Sequence, residues 1–143
     1  LTHEDDIAAI YQAPFSYVIS DATYPTDGLL HPRVYGTFVH VLERFVRERK
    51  TLSLSEAVQK MTRMPADRYG LKTKGRIEPG ADADLLIFDP DGVHERATFE
   101  NPAQCTAGIE TVLMNGVPAV EGGTMTGKTN GTVITKSLFR LSS

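Results

Sequence analysis

The chain has 143 residues, of which 41% are hydrophobic and 23% charged, as in an ordinary globular domain. Its formal net charge of −3 gives no electrostatic reason to expect a nucleic acid or an anionic membrane as partner. No apolar stretch approaches the roughly 20 residues of a membrane span, no signal peptide is visible and Cys105 is the single cysteine, so we expect a cytoplasmic protein without an intrachain disulfide.

The first part of the chain predicts helices packed around one strand. Residues 2–12 predict a short helix with Thr2 as its N-cap. Residues 15–20 (FSYVIS) predict a strand buried on both faces, because their apolar character is nearly continuous. A longer helix is predicted over residues 36–49, where apolar side chains recur at helical spacing: Phe38, Val41, Leu42, Phe45 and Val46.

Local sequence signals predict two further helices. Ser53 and Glu56 have the spacing of a capping box, in which each side chain accepts a hydrogen bond from a backbone N–H of the first turn. A short helix is predicted to start at Pro65, and Gly70 can adopt the left-handed conformation that ends a helix.

From Gly75 onward the pattern changes to short strands and turns. Residues 84–88 predict a strand that ends at the turn sequence DPDG. Asn115-Gly116 lies between two apolar runs and predicts a hairpin with a type I′ turn. The run 131–134 predicts one more strand.

Polar side chains follow the predicted strand 15–20 at its carboxyl end. Asp21 ends that strand, where α/β enzymes place their chemistry, so it is the candidate catalytic acid; the alternative is an acid that caps a neighbouring helix or turn. Asp27, followed by glycine, is interpreted as a turn former. His31 and Arg33 either contact substrate or brace the loop, and bracing is favoured.

Two blocks of sequence resemble a known family. Residues 75–90 (GRIEPGADADLLIFDP) with the hairpin VLMNGVPAVEGG resemble the carboxyl-terminal signature of the metal-dependent amidohydrolase superfamily. Residues 31–71 and 97–116 are similar to the N-acyl-D-amino-acid deacylases, or D-aminoacylases, of that superfamily. That family usually has Ser-Asp-Gly where this chain has Ser20-Asp21-Ala22, so the turn after Asp21 is expected to differ.

The resemblance implies a fold with two parts. Residues 1–71 would be the last βα unit of a TIM barrel with the helices that follow it, an α/β arrangement. Residues 72–143 would be a β-rich segment of the small composite β-sandwich domain. Asp21 would lie at the mouth of the last barrel strand.

The resemblance also implies an activity, namely hydrolysis of the linear amide of an N-acyl-D-amino acid. Asp21 would bind the metal, or take a proton from the metal-bound water and pass it to the leaving amine. Zinc is expected in the full-length enzyme and not on this chain alone, because the other ligands lie on earlier barrel strands.

Several expectations concern the isolated chain. It begins with Leu1 and not Met, which suggests a missing amino-terminal barrel segment, so we expect it to be inactive alone. Apolar surface on Phe15, Tyr17, Val18 and Ile19 would be exposed and would favour a homo-oligomer. The alternatives are a non-catalytic β-rich interaction module and an amidohydrolase that acts on cyclic amides.

The remaining polar candidates have simpler interpretations. His3, His40 and His94 lack the spacing of metal ligands and are expected at the surface. Cys105 is expected to pack in a loop. Asp82 and Asp84 are expected to hold the backbone of a turn.

Overall fold

The computed structural model describes residues 3–23 and 28–135, with helices in the first part and strands in the second. In chain order the elements are α1 (Glu4–Gln12), α2 (Arg33–His40), a π-helix (Val41–Glu48), α3 (Leu54–Met61), α4 (Arg63–Arg68), β1 (Leu85–Phe88), β2 (Ile109–Met114), β3 (Val117–Glu121) and β4 (Thr124–Met125). Among these described helices none combines the length and the apolar character needed to cross a membrane.

Helix α1 is capped by a histidine. Nδ1 of His3 accepts a hydrogen bond from the backbone N–H of Asp5, and acidic residues occupy the first turn, where they complement the helix dipole. The predicted cap, Thr2, lies outside the described residues.

The helix predicted over residues 36–49 is present but differs in two respects. It begins earlier, at Arg33, and from Val41 it continues as a π-helix. In that segment a carbonyl accepts from the N–H five residues later, as Arg44 does from Arg49 at 2.9 Å. The predicted apolar side chains Val41, Leu42 and Phe45 are buried, so the stripe was predicted correctly although the helix type was not.

The capping box at the start of α3 is confirmed. The Glu56 N–H donates to Ser53 Oγ at 3.2 Å, and the Ser53 N–H donates to Glu56 Oε2 at 2.8 Å. Helix α4 begins at Arg63, two residues before the predicted start at Pro65, which therefore lies in the first turn. There its missing N–H costs no hydrogen bond.

The four strands form one antiparallel sheet in the order β1-β2-β3-β4. Asn115 and Gly116 have φ of 50° and 77°, so the predicted type I′ hairpin turn between β2 and β3 is confirmed. The strand predicted over 131–134 is wrong. The chain turns back earlier, at Gly122 and Gly123, and Thr124–Met125 pairs with β3 instead.

The buried core joins the helices to the segment after β1. Its members are Val18, Val39, Val41, Leu42, Leu52, Ala57 and Val93. Val93 belongs to the β-rich part of the chain and is fully buried. The rings of Tyr11 and Phe45 meet edge to face at 4.8 Å and bring α1 onto the π-helix.

The strand predicted over residues 15–20 is not observed. Residues 16–20 belong to no strand, and no strand among the described residues pairs with them. Their backbone is tied to the helices, since the Val18 N–H donates to the carbonyl of Lys60 at 3.0 Å. Because a strand needs neighbouring backbone to pair with, the apolar pattern alone was insufficient.

Candidate functional site

Asp21 lies at the end of residues 16–20 with its carboxylate largely in solvent. Its backbone has φ of 50°, the left-handed region that aspartate enters more readily than most non-glycine residues. Left-handed conformations of non-glycine residues concentrate at functional sites. Ala22 does not have a positive φ. The expected difference from the family in the turn after Asp21 stays a prediction.

Arg33 is the partner of Asp21. Its guanidinium donates to Oδ2 of Asp21 at 2.8 Å, although the two residues are 12 positions apart in the chain. Arg33 is the first residue of α2, so the helix fixes the base of its side chain. Its Nε–H is buried without an acceptor among residues 3–23 and 28–135, which leaves this cation incompletely satisfied.

His31 contacts the start of α2. Its Nδ1 accepts a hydrogen bond from the Arg33 N–H at 3.1 Å, and its ring meets that of Phe99 edge to face at 5.0 Å. The structure thus places His31 beside Arg33 at the start of α2, and its role as a brace or as a substrate contact stays a prediction. Asp27 lies outside the described residues.

The described residues do not form a metal site by themselves. In residues 3–23 and 28–135, no three His, Cys, Asp or Glu side chains converge as metal ligands would. Asp21, the candidate catalytic acid, is the side chain considered as a metal ligand, and it is ion-paired with Arg33. Zinc therefore does not fit this set of side chains unless further ligands join Asp21.

The other histidines serve structural contacts. His40 Nδ1 lies 2.7 Å from Oε2 of Glu95, and His94 Nδ1 contacts Oε1 of Glu43. Both rings are exposed, as predicted. These two pairs connect the helical part to the segment after β1.

Of the two glutamates that contact these histidines, Glu43 has the less exposed side chain. Burial raises its pKa, but the backbone N–H of Glu95 and the His94 ring outweigh it, so that the pKa of Glu43 lies below its ordinary value. Arg47 adds to the lowering and also donates to the carbonyls of Pro90 and Val93. The arrangement favours an ionised Glu43 that holds two parts of the chain together.

Lys60 is a buried charge that sequence analysis missed. It lies on α3 with 6% of its surface exposed, and its Nζ contacts three oxygens of the segment before Asp21. A signal existed, since Lys60 follows the core residue Ala57 at i+3 and must therefore share its face.

The two aspartates before β1 do not hold their own turn as expected. Asp82 Oδ2 accepts from the Thr73 hydroxyl at 2.8 Å and pairs with Lys74, whereas Asp84 binds the backbone of the hairpin turn between β2 and β3. Asp84 Oδ1 accepts the N–H of Asn115 at 2.8 Å, and the other oxygen contacts Lys74. Lys74 and that N–H lower the pKa of Asp84. A cavity of about 430 Å³ lies beside them, but Asp21, His31 and Arg33 do not line it.

Cys105 corrects another prediction. Its side chain is exposed and forms no disulfide, so it does not pack in the described structure. Phe15 and Ile19 are exposed as predicted, whereas Val18, predicted with them, is buried in the helical core.

A comparison with family models decides the broader assignment. Residues 19–120 match the model described as "Amidohydrolase family", which covers Asp21, Arg33, the helices after α1 and most of the sheet. The chain belongs to the amidohydrolase family. The superfamily resemblance seen in the sequence is thereby confirmed.

Two of the similar proteins are a deacylase and an aminoacylase. The chain is 46% identical over 113 residues to an N-acyl-D-glutamate deacylase of Alcaligenes xylosoxydans xylosoxydans, which is 79% of this chain and 23% of that protein. It is 38% identical over 134 residues to a D-aminoacylase of the same organism, covering 94% of this chain and 28% of that protein. The chain therefore spans about a quarter of the length of these curated relatives.

A solved structure agrees with both. The N-acyl-D-glutamate deacylase of Bordetella bronchiseptica, crystallised with zinc and a phosphonate inhibitor, superposes with a TM-score of 0.78. The two are 42% identical, and the match covers 82% of this chain and 25% of that one. The helices and the small antiparallel sheet thus have the arrangement of part of a deacylase.

Proposed function

We propose that the full-length protein containing this chain deacylates N-acyl-D-amino acids by hydrolysis of their linear amide bond. The observation that carries the proposal is the match of nearly the whole chain to deacylases in sequence and in arrangement of elements. In this proposal residues 1–71 form the last βα unit of a TIM barrel with the following helices. Residues 72–143 belong to a small composite β-sandwich.

Asp21 is the proposed acid and base. Its carboxylate is exposed, so it can reach a water molecule and a substrate amide. It would take a proton from the attacking water and deliver it to the nitrogen of the leaving amine. The same group serves both transfers, so hydrolysis leaves Asp21 in its starting state.

Arg33 is a proposed contact for the carboxylate of the substrate. It stands 2.8 Å from Asp21, and a guanidinium binds carboxylates through paired N–H donors. His31 would act through Arg33 by fixing the start of α2. When substrate is absent, the pairing with Asp21 satisfies part of the Arg33 charge.

Zinc in the full-length protein would activate the attacking water. Asp21 could supply at most one ligand to it, because the described residues hold no further set of donors. We therefore expect the 143-residue chain alone to have no deacylase activity.

The test is an assay of the full-length protein on N-acetyl-D-glutamate, N-acetyl-D-aspartate and N-acetyl-D-leucine, with the L-isomers as controls. Asp21→Asn should lower kcat by about 10²-fold to 10⁴-fold, the usual contribution of a general acid or base. The control is Asp91→Asn, an exposed aspartate in the turn after β1. No turnover of any D-substrate, or equal activity of the two variants, would refute the proposal.

A further inference from the structure

Lys60 is hydrogen-bonded to the segment before Asp21 through both its side chain and its backbone carbonyl. Its Nζ donates to the carbonyl of Ala13 at 2.7 Å, to the carbonyl of Ser16 at 3.0 Å and to Ser16 Oγ at 3.1 Å. Its own carbonyl accepts the N–H of Val18 at 3.0 Å. One residue of α3 thus contacts the chain at Ala13, Ser16 and Val18, which lie eight, five and three positions before the candidate acid.

The chemistry of the contact explains why a lysine stands there. An ammonium group has three N–H donors, and each has one acceptor, so the buried cation is fully hydrogen-bonded. None of these acceptors is a carboxylate. The charge of Lys60 also helps to lower the pKa of Glu56, which lies one helical turn earlier. A buried charge held only by backbone and hydroxyl oxygens is costly to move, because any shift leaves it unsatisfied.

The attachment sets the register of residues 16–20. Asp21 follows Val18 by three residues, about 10 Å of extended chain. A slip of one residue would move the Asp21 carboxylate by about 3.3 Å and turn it to the opposite face. No strand among the described residues pairs with this segment. Its position there depends on the hydrogen bonds with Lys60, the burial of Val18 and the ion pair of Asp21 with Arg33.

We propose that Lys60 is a positioning residue for Asp21, which acts by locking the segment 13–18 onto α3. The inference rests on the proposed function of Asp21 as acid and base. Lys60 does not touch substrate. Loss of its contacts should misplace the carboxylate and leave substrate binding intact.

The experiment uses the full-length protein and the variant Lys60→Met, which keeps the length of the side chain but removes its donors. We expect kcat on the best D-substrate to fall by about 10-fold to 100-fold, since a shift of about 1 Å in a reacting group can cost 10²-fold. KM and zinc content should stay unchanged. Lys72→Met, at an exposed lysine, is the matched control and should behave as wild type.

A double-mutant cycle with Asp21→Asn separates positioning from general stability. If Lys60 acts through Asp21, the double variant should be no slower than Asp21→Asn alone. Any of three results would overturn the inference. These are effects of the two substitutions on kcat that multiply fully, a rise in KM in place of a fall in kcat, or a Lys60→Met variant equal to Lys72→Met. In those cases a slow Asp21→Asn would still support the proposed function, whereas a fully active Asp21→Asn would overturn both.

A milder variant keeps the test decisive if Lys60→Met does not fold. Ser16→Ala removes one of the three acceptors, together with the hydrogen bond that Ser16 Oγ donates to the Ala13 carbonyl, and leaves the cation its two carbonyl partners. It should lower kcat by about threefold, within the range of the net value of such hydrogen bonds, and this decrease should vanish in the Asp21→Asn background. A decrease that persists there would contradict positioning through Asp21.

Discussion

The backbone N–H of Glu95 donates a 2.8 Å hydrogen bond to Oε2 of Glu43, which joins the π-helix to the segment after β1. The other oxygen of Glu43 contacts His94 and lies 3.4 Å from Arg47. The Glu43 side chain is 16% exposed, so these partners replace most of its water. This contact links the part of the chain that carries Asp21 to the β-rich part.

Glu43→Gln should destabilise the chain by about 1–2 kcal/mol at pH 7, because a charge-assisted hydrogen bond is lost from a mostly buried site. The folded-state pKa of Glu43 lies below its ordinary value of 4.5. The stabilisation is therefore fully present above pH 4.5 and is lost as the pH falls through the lowered folded-state value. Urea unfolding of both proteins from pH 7 down to pH 3 measures the difference.

The control for that series is Glu48→Gln on the same π-helix, where the side chain is 45% exposed and pairs with Arg44. It should change stability less than Glu43→Gln. Equal effects of the two variants, or an effect of Glu43→Gln that grows on acidification, would contradict the structural role of Glu43.

Ser53→Ala should destabilise the chain by about 1 kcal/mol, the usual cost of losing an N-cap. Its hydroxyl accepts the Glu56 N–H, and its N–H holds the Glu56 carboxylate. Ser55→Ala removes an exposed hydroxyl two residues later and should be neutral or slightly stabilising, since alanine favours helix. Thermal unfolding followed by circular dichroism compares them; a larger loss for Ser55→Ala would show that the cap contributes little.

Two glycines with the same backbone angle should differ strongly when replaced by alanine. Gly108 and Gly116 both have φ of 77°. At Gly116 an added Cβ would meet only Ala83 Cβ at 3.8 Å, so Gly116→Ala should cost about 1 kcal/mol from conformation alone. At Gly108 it would lie 2.5 Å from the carbonyl oxygen of Gly92, so backbone must also move.

Gly108→Ala should therefore destabilise the chain by several times as much as Gly116→Ala, or prevent folding. Chemical unfolding of the two variants under the same conditions is the measurement. Similar costs would mean that the chain around Gly92 adjusts freely and that the close approach to Gly108 is not required.

Asp84→Ala should be more destabilising than Asp84→Asn by about 1 kcal/mol, because only the amide can still accept the N–H of Asn115. Both variants lose the pairing with Lys74, which is partly exposed and contributes less. Lys74 and the Asn115 N–H lower the pKa of Asp84, so the stabilisation by the wild-type carboxylate is lost as pH falls through that lowered value. Urea midpoints at pH 7 and pH 3 test this; an Asp84→Asn variant as unstable as Asp84→Ala would show that the hydrogen bond to Asn115 is unimportant.

Local signals were enough for much of the fold. The capping box of Ser53 and Glu56 and the turn at Asn115-Gly116 depend on residues within a few positions of each other, so the sequence specified them correctly. The apolar stripe of Val41, Leu42 and Phe45 likewise predicted which face is buried. The family motifs pointed to the amidohydrolases and placed Asp21 as the candidate acid, a role that is still a prediction.

The tertiary structure decided the rest. Whether residues 15–20 pair as a strand depends on backbone that must come from elsewhere in space, and no periodicity reveals it. Three contacts join positions that are 12 to 52 residues apart in the chain. They are the pairing of Asp21 with Arg33, the burial of Lys60 against residues 13–16 and the contact of Glu43 with Glu95. Such contacts are fixed by the packing of helices and sheet against each other, because side-chain type limits what a residue can bind but not which partner the fold brings to it.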